Sequence, residues 1–93
     1  MGDEYSLTFE DALVGVKRVI ESLTSIPQSE LQAEDIVSEI LASDSLSWVE
    51  YKVGLEEAFR IVIPDTDIEA FDTLASSAIY VSNIVNSGGT DAH

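Results

Sequence analysis

Ser45-Leu46-Ser47-Trp48-Val49-Glu50-Tyr51-Lys52-Val53-Gly54-Leu55-Glu56-Glu57-Ala58-Phe59 is the stretch on which the fold turns. It has no proline and one glycine, and its apolar residues recur at three- and four-residue spacing, so it predicts a helix from Ser45 or Leu46 to about Phe59. The helix carries two apolar stripes. Trp48, Tyr51, Leu55, Ala58 and Phe59 form one; Leu46, Val49 and Val53 form the other, flanked by Glu50, Glu56 and Glu57. A helix in a small bundle buries one stripe. The larger, aromatic stripe is the expected core face. The Leu46-Val49-Val53 stripe is then left exposed among acids, the pattern of a partner surface.

Outward from this helix, the rest of the chain reads as helical. Thr8 can cap a helix from about Phe9 to Leu23, with Phe9, Leu13, Val16, Ile20 and Leu23 as its inward stripe and Lys17 and Arg18 on its polar side. Pro27 ends that helix. The long segment from Thr24 to Ser43 carries Ile36-Val37 and Ile40-Leu41 four apart, a helical turn or a loop pinned on the core. Loops of such length are often functional. Downstream, Ile61-Val62-Ile63 before Pro64 reads as a buried connector, Asp65 to Phe71 as a short helical turn, and Thr73 as the cap of a last helix. The inward face of that helix is Leu74, Ala78, Val81 and Val85. Asn86-Ser87-Gly88-Gly89 should end it, since Asn and Gly suit a left-handed cap. The fold expected is all-α: a small four-helix bundle of three main helices and one short one, with a long first loop. Residues 1–7 read as an N-terminal extension, 8–86 as the domain and 87–93 as a flexible tail.

With 93 residues, the chain has room for one domain. Eighteen acids against four bases give a net charge of −14, which repels nucleic acid and anionic membranes and attracts basic protein patches. No cysteine is present, so disulfides, thiolate metal sites and a cysteine nucleophile are excluded. The single histidine, His93, is terminal and a poor base for catalysis. No catalytic residue and no metal ligand are expected, and the chain reads as a non-enzyme. Asp65-Thr66-Asp67 opens like a calcium loop, but Ala70 stands where glycine is required and Ser76 where glutamate is required. The acidic start at Met1–Tyr5 lacks a basic and then apolar leader, and no apolar run approaches the roughly 20 residues of a membrane span. A cytoplasmic monomer is expected.

Asp44-Ser45-Leu46 lies just where the central helix should begin. A serine there is ordinarily a plain cap. The same position also suits a phosphate ester, which would sit at the positive end of the helix dipole near free N–H donors.

Ile40-Leu41-Ala42-Ser43-Asp44-Ser45-Leu46 resembles the attachment motif of acyl carrier proteins, Leu-Gly-x-Asp-Ser-Leu. Glu50, Leu55-Glu56-Glu57-Ala58-Phe59, Ile63-Pro64-Asp65, Thr73 and Tyr80 follow in step, so the resemblance runs from about Leu41 to Val85. The triplet alone is weak; followed at fixed spacing by Leu-Glu-Glu-x-Phe and Ile-Pro-Asp it is strong. The resemblance implies that Ser45 receives 4′-phosphopantetheine from coenzyme A through a phosphopantetheinyl transferase, with Asp44 assisting that enzyme. The thiol of the arm then carries acyl groups as thioesters. It further implies that Leu46, Val49, Glu50, Val53, Glu56 and Glu57 meet an acyltransferase, a ketosynthase and other acyl-processing enzymes. Four residues depart from the pattern: Ala42 replaces the usual glycine, Ser47 a frequent aspartate, Trp48 a small residue, and Lys52 puts a positive charge on an acidic or apolar helix. They point away from housekeeping fatty acid synthesis and towards polyketide or other specialised biosynthesis. The alternatives are a fatty acid synthesis carrier and an unmodified acidic adaptor.

Overall fold

A computed structural model describes residues 7–41 and 45–87. Helices α1 (Phe9–Thr24), α2 (Val37–Ile40), α3 (Ser45–Phe59) and α4 (Leu74–Asn86) follow in order, with 3-10 turns at Gln28–Glu30 and Asp65–Ala70. No strand occurs among the described residues; Ile36 and Thr73 form an isolated antiparallel bridge. The bundle has the three long helices expected; the short α-helix falls at Val37–Ile40 within the first loop, and Asp65–Ala70, read as the short helical turn, is 3-10.

Helix α1 begins where Thr8 Oγ1 accepts the Asp11 N–H at 3.0 Å. It ends at Ser25, whose left-handed backbone (φ 69°) returns its N–H to Glu21 O at 2.8 Å. Its buried face is Ala12, Val16, Val19 and Ile20. Val16 and Ile20 were expected there. Leu13 and Leu23 are only half-buried and Phe9 remains 40% exposed. The face is turned because α1 meets α3 through two glycines. A Cβ on Gly54 would lie 2.7 Å from Val19 Cγ1, and one on Gly15 would collide with the Phe59 ring. The bare backbones bring Gly15 and Val19 against α3 and rotate burial towards Val19. The pairings of 15 with 59 and 19 with 54 also set α1 and α3 antiparallel.

Helix α4 is antiparallel to α1 as well. Near its end the Asn86 amide clasps the backbone before α1: Leu7 N–H donates to Oδ1 at 2.6 Å and Nδ2 donates to Leu7 O at 2.9 Å. Asn86 is the last helical residue and Ser87 caps the helix at φ −92°, so neither of these two is left-handed. Gly88 and Gly89 lie outside the described residues. At the other end, three donors that a helix leaves unpaired all find acceptors. Leu74 N–H reaches Asp35 O at 3.1 Å, Ala75 N–H reaches Ala33 O at 2.8 Å, and Ser76 N–H reaches Thr73 Oγ1 at 3.0 Å. The first loop is therefore pinned by capping α4, with Val37 and Leu41 buried beneath it.

The second connector is extended and alternates. Ile61 and Ile63 are buried, whereas Val62 points outward at 71% exposure, so the connector is buried on one side only. Arg60 makes the turn into it with a left-handed backbone (φ 58°), and Ile61 N–H closes back on Glu56 O at 3.1 Å.

Candidate functional site: the N-terminus and two faces of α3

Ser45 is exposed and stands at the first described position of α3. Asp44, with Ala42 and Ser43, lies outside the described residues. The exposed hydroxyl at the start of a 15-residue helix fits an added phosphodiester, because the helix dipole favours negative charge there and nothing buries the side chain.

The two stripes of α3 face opposite ways, with one departure from the expected inner stripe. Tyr51 and Leu55 are fully buried, and Trp48 and Phe59 pack partly against the core. Ala58 departs from the inward stripe. It is exposed beside an open cleft of about 330 Å³ between α1 and α3, lined also by Arg18, Val19, Leu23, Gly54 and Glu57. Outward, Leu46 is 62%, Val49 53% and Val53 39% exposed. Leu46 to Val53 spans about 10 Å of helix at 1.5 Å per residue.

The acids on this helix are not equivalent. Glu50 and Glu57 are exposed. Glu56 is half-buried and turned to internal work: its Oε2 accepts the Ile63 N–H at 2.8 Å and the Lys52 ammonium at 3.2 Å. Lys52 also lies 3.6 Å from Asp65. The one base on α3 is thus answered by two acids, and its presence does not interrupt the acidic rim at Glu50 and Glu57.

Beneath α3 runs a chain of edge-to-face rings. Trp48 meets Tyr51 at 6.2 Å, Tyr51 meets Phe71 at 5.8 Å, and Phe71 meets Tyr80 at 5.1 Å between centroids. Tyr51 Oη donates to Ser77 Oγ at 2.8 Å, and Tyr80 Oη to Asp67 Oδ2 at 2.5 Å. Burial pushes the Tyr51 phenol well above its ordinary value, the Ser77 contact pulling weakly against it. Burial, then the bond to Asp67 and its negative charge, raise the Tyr80 phenol too. The segment that opened like a calcium loop is a 3-10 helix, and among the described residues no three His, Cys, Asp or Glu side chains converge as metal ligands.

Residues 15–81 match the family model described as the phosphopantetheine attachment site. The chain belongs to the acyl carrier protein family. It is 35% identical over 78 residues to an acyl carrier protein of Acidothermus cellulolyticus, covering 84% of this chain and 93% of that one. It is 32% identical over 79 residues to a meromycolate extension acyl carrier protein of Mycobacterium leprae, covering 85% and 69% respectively. The same identity holds over 77 residues of the meromycolate extension acyl carrier protein of Mycolicibacterium smegmatis, covering 83% and 78%. No solved structure is a significant match. The chain carries acyl groups on covalent 4′-phosphopantetheine and is a carrier, not a catalyst. Proteins of this family are modified by phosphopantetheinyl transferases and work with acyl-processing enzymes. No helix among the described residues is long and apolar enough to cross a membrane.

Proposed function

We propose that Ser45 is the attachment residue and that the outward stripe of α3 is the face offered to partner enzymes. The observation carrying this reading is the exposed Ser45 at the start of a helix whose second apolar stripe stays open to solvent. When bound, the arm supplies the thiol on which acyl groups are held. Ser45 supplies the anchoring oxygen. The first turn of α3 supplies donors and a dipole that favour the phosphodiester. Asp44 assists the transferase. Leu46, Val49 and Val53 fill shallow apolar pockets on a partner while Glu50 and Glu57 meet its basic rim. Glu56 belongs to the same face in sequence but contributes mainly by holding the Ile63 connector.

The domain spans residues 8–86, and the carrier acts as a cytoplasmic monomer with an acyltransferase and a ketosynthase among its partners. The pathway is a specialised one such as polyketide assembly, supported by Trp48 and Lys52, which depart from the family pattern and are held in a ring ladder and an ion-pair cluster. Two relatives named for meromycolate extension favour a carrier for fatty acid synthesis as the second reading.

The attachment is tested by incubating the protein with coenzyme A, magnesium and a broad-specificity phosphopantetheinyl transferase and weighing it. One arm's mass is gained by the native chain and none by Ser45→Ala. A gain that survives Ser45→Ala overturns the assignment.

A further inference from the structure

An apolar group tethered at Ser45 has to go somewhere: into the bundle, into a surface groove, or into water and the partner's own cavity. We infer that in this carrier the acyl group stays outside the helices, because the ring ladder from Trp48 to Tyr80 fills the interior that lies next to the attachment end. The inference rests on the reading of Ser45 as the anchor.

Trp48 stands one helical turn beyond Ser45 and is the outermost rung. Behind it Tyr51 is 0% and Phe71 2% exposed, each edge-on to the next ring, so the rungs bridge α3 to the Asp65–Ala70 turn and α4. Both phenols are tied down, Tyr51 to Ser77 and Tyr80 to Asp67. Ser77 is itself fully buried and donates its own hydroxyl hydrogen bond to Thr73 O at 3.2 Å. A chain entering here must part packed rings and break a buried hydroxyl pair that an alkyl group cannot replace.

The α1–α3 cleft is no substitute. Gly54, at its floor, follows Ser45 by nine residues, about 180° around the helix. Its rim carries the charges of Arg18 and Glu57. The cargo that suits such a carrier is an acyl group that tolerates water, short or bearing hydroxyl or keto groups, with longer chains sheltered by the partner.

The chain has no cysteine and one tryptophan, which makes the test clean. Ser45→Cys is labelled with maleimides bearing butyl, octyl or hexadecyl chains. The three conjugates are expected to share one Tm to within about 1 °C, with Trp48 emission and hydrogen exchange of α3 and α4 unchanged. A Tm that climbs with chain length, together with new protection of α3 and α4, overturns the inference. In a Ser45→Cys, Trp48→Ala background the outer rung is gone. There the octyl conjugate is expected to gain several degrees over the butyl one, and no gain overturns the ladder as the barrier. The conjugates report on the interior whether or not a transferase recognises Ser45. A failed mass gain condemns the anchor alone, and a chain-length effect condemns this inference alone.

Discussion

The inner and outer stripes of α3 differ in the size of their side chains more than in their apolarity. Tyr51 and Leu55 are wholly buried, while Leu46 and Val49 on the other side are more than half exposed. The inner stripe offers rings, and the chain supplies rings to meet them: Phe71 from the second connector and Tyr80 from α4. The outer stripe offers branched aliphatic groups among acids. A cover for it would have to bring apolar surface past Glu50 and Glu57, which suits a partner with basic edges better than another segment of a chain with eighteen acids. One helix thus holds the fold with one side and leaves the other available.

The largest contrast is expected in stability. Leu55→Ala empties a fully buried site and should cost about 2–5 kcal/mol, lowering Tm by at least about 10 °C in a domain of this size. Val49→Ala, at the exposed stripe, should stay within about 0.5 kcal/mol. Thermal melts of both variants check this; comparable losses would mean the outer stripe is also core.

Alkaline pH probes the inner side next. The folded state holds the Tyr51 phenol neutral well above its ordinary value of 10.0. The contribution is complete below pH 10. Above it the unfolded chain loses the proton that the folded chain keeps, so stability falls by about 1.4 kcal/mol per pH unit for this group. Tyr51→Phe should flatten that decline in denaturant titrations between pH 9 and 11, leaving only the part due to Tyr80. An unchanged slope would mean that the phenol ionises freely in the fold.

Much of this division is legible in the sequence. Thr8 and Thr73 mark two helix starts because a cap is a local event, and the two stripes of α3 show in its spacing. What eludes sequence is set by where the chain returns. Asn86 reads as a helix stop, yet its amide is paired with Leu7, 79 positions away. Ala33 and Asp35 look like idle loop residues until their carbonyls are seen on the first amides of α4. Ser45 stands out as a site only through resemblance, since its local chemistry is that of any serine at a helix start. Glu56 and Glu57 are adjacent acids that nothing local separates; only the return of Ile63 past α3 turns one of them inward.

That pair supplies a finer break. Glu56→Ala leaves the Ile63 N–H and the Lys52 ammonium without their shared acceptor. It should cost about 1 kcal/mol, discounted for the partial exposure of the carboxylate. Glu57→Ala should cost nothing measurable. Urea titrations of both decide it, and equal midpoints would remove Glu56 from its structural role.

The smallest effect on the fold should be the largest on encounters. Val49→Ser replaces an exposed valine with a polar residue and should leave the urea midpoint within error. On a face that partners grip by shallow apolar contacts, the same change removes contact area at the centre of the stripe, where surrounding groups exclude water. The kcat/KM for loading by the transferase should therefore fall severalfold. Glu50→Lys should act differently, slowing association most at low salt, because a rim charge steers more than it binds. If Val49→Ser loads at the native rate and Glu50→Lys shows no salt dependence, the outer stripe is ordinary exposed surface. Recognition would then have to be sought elsewhere on the carrier.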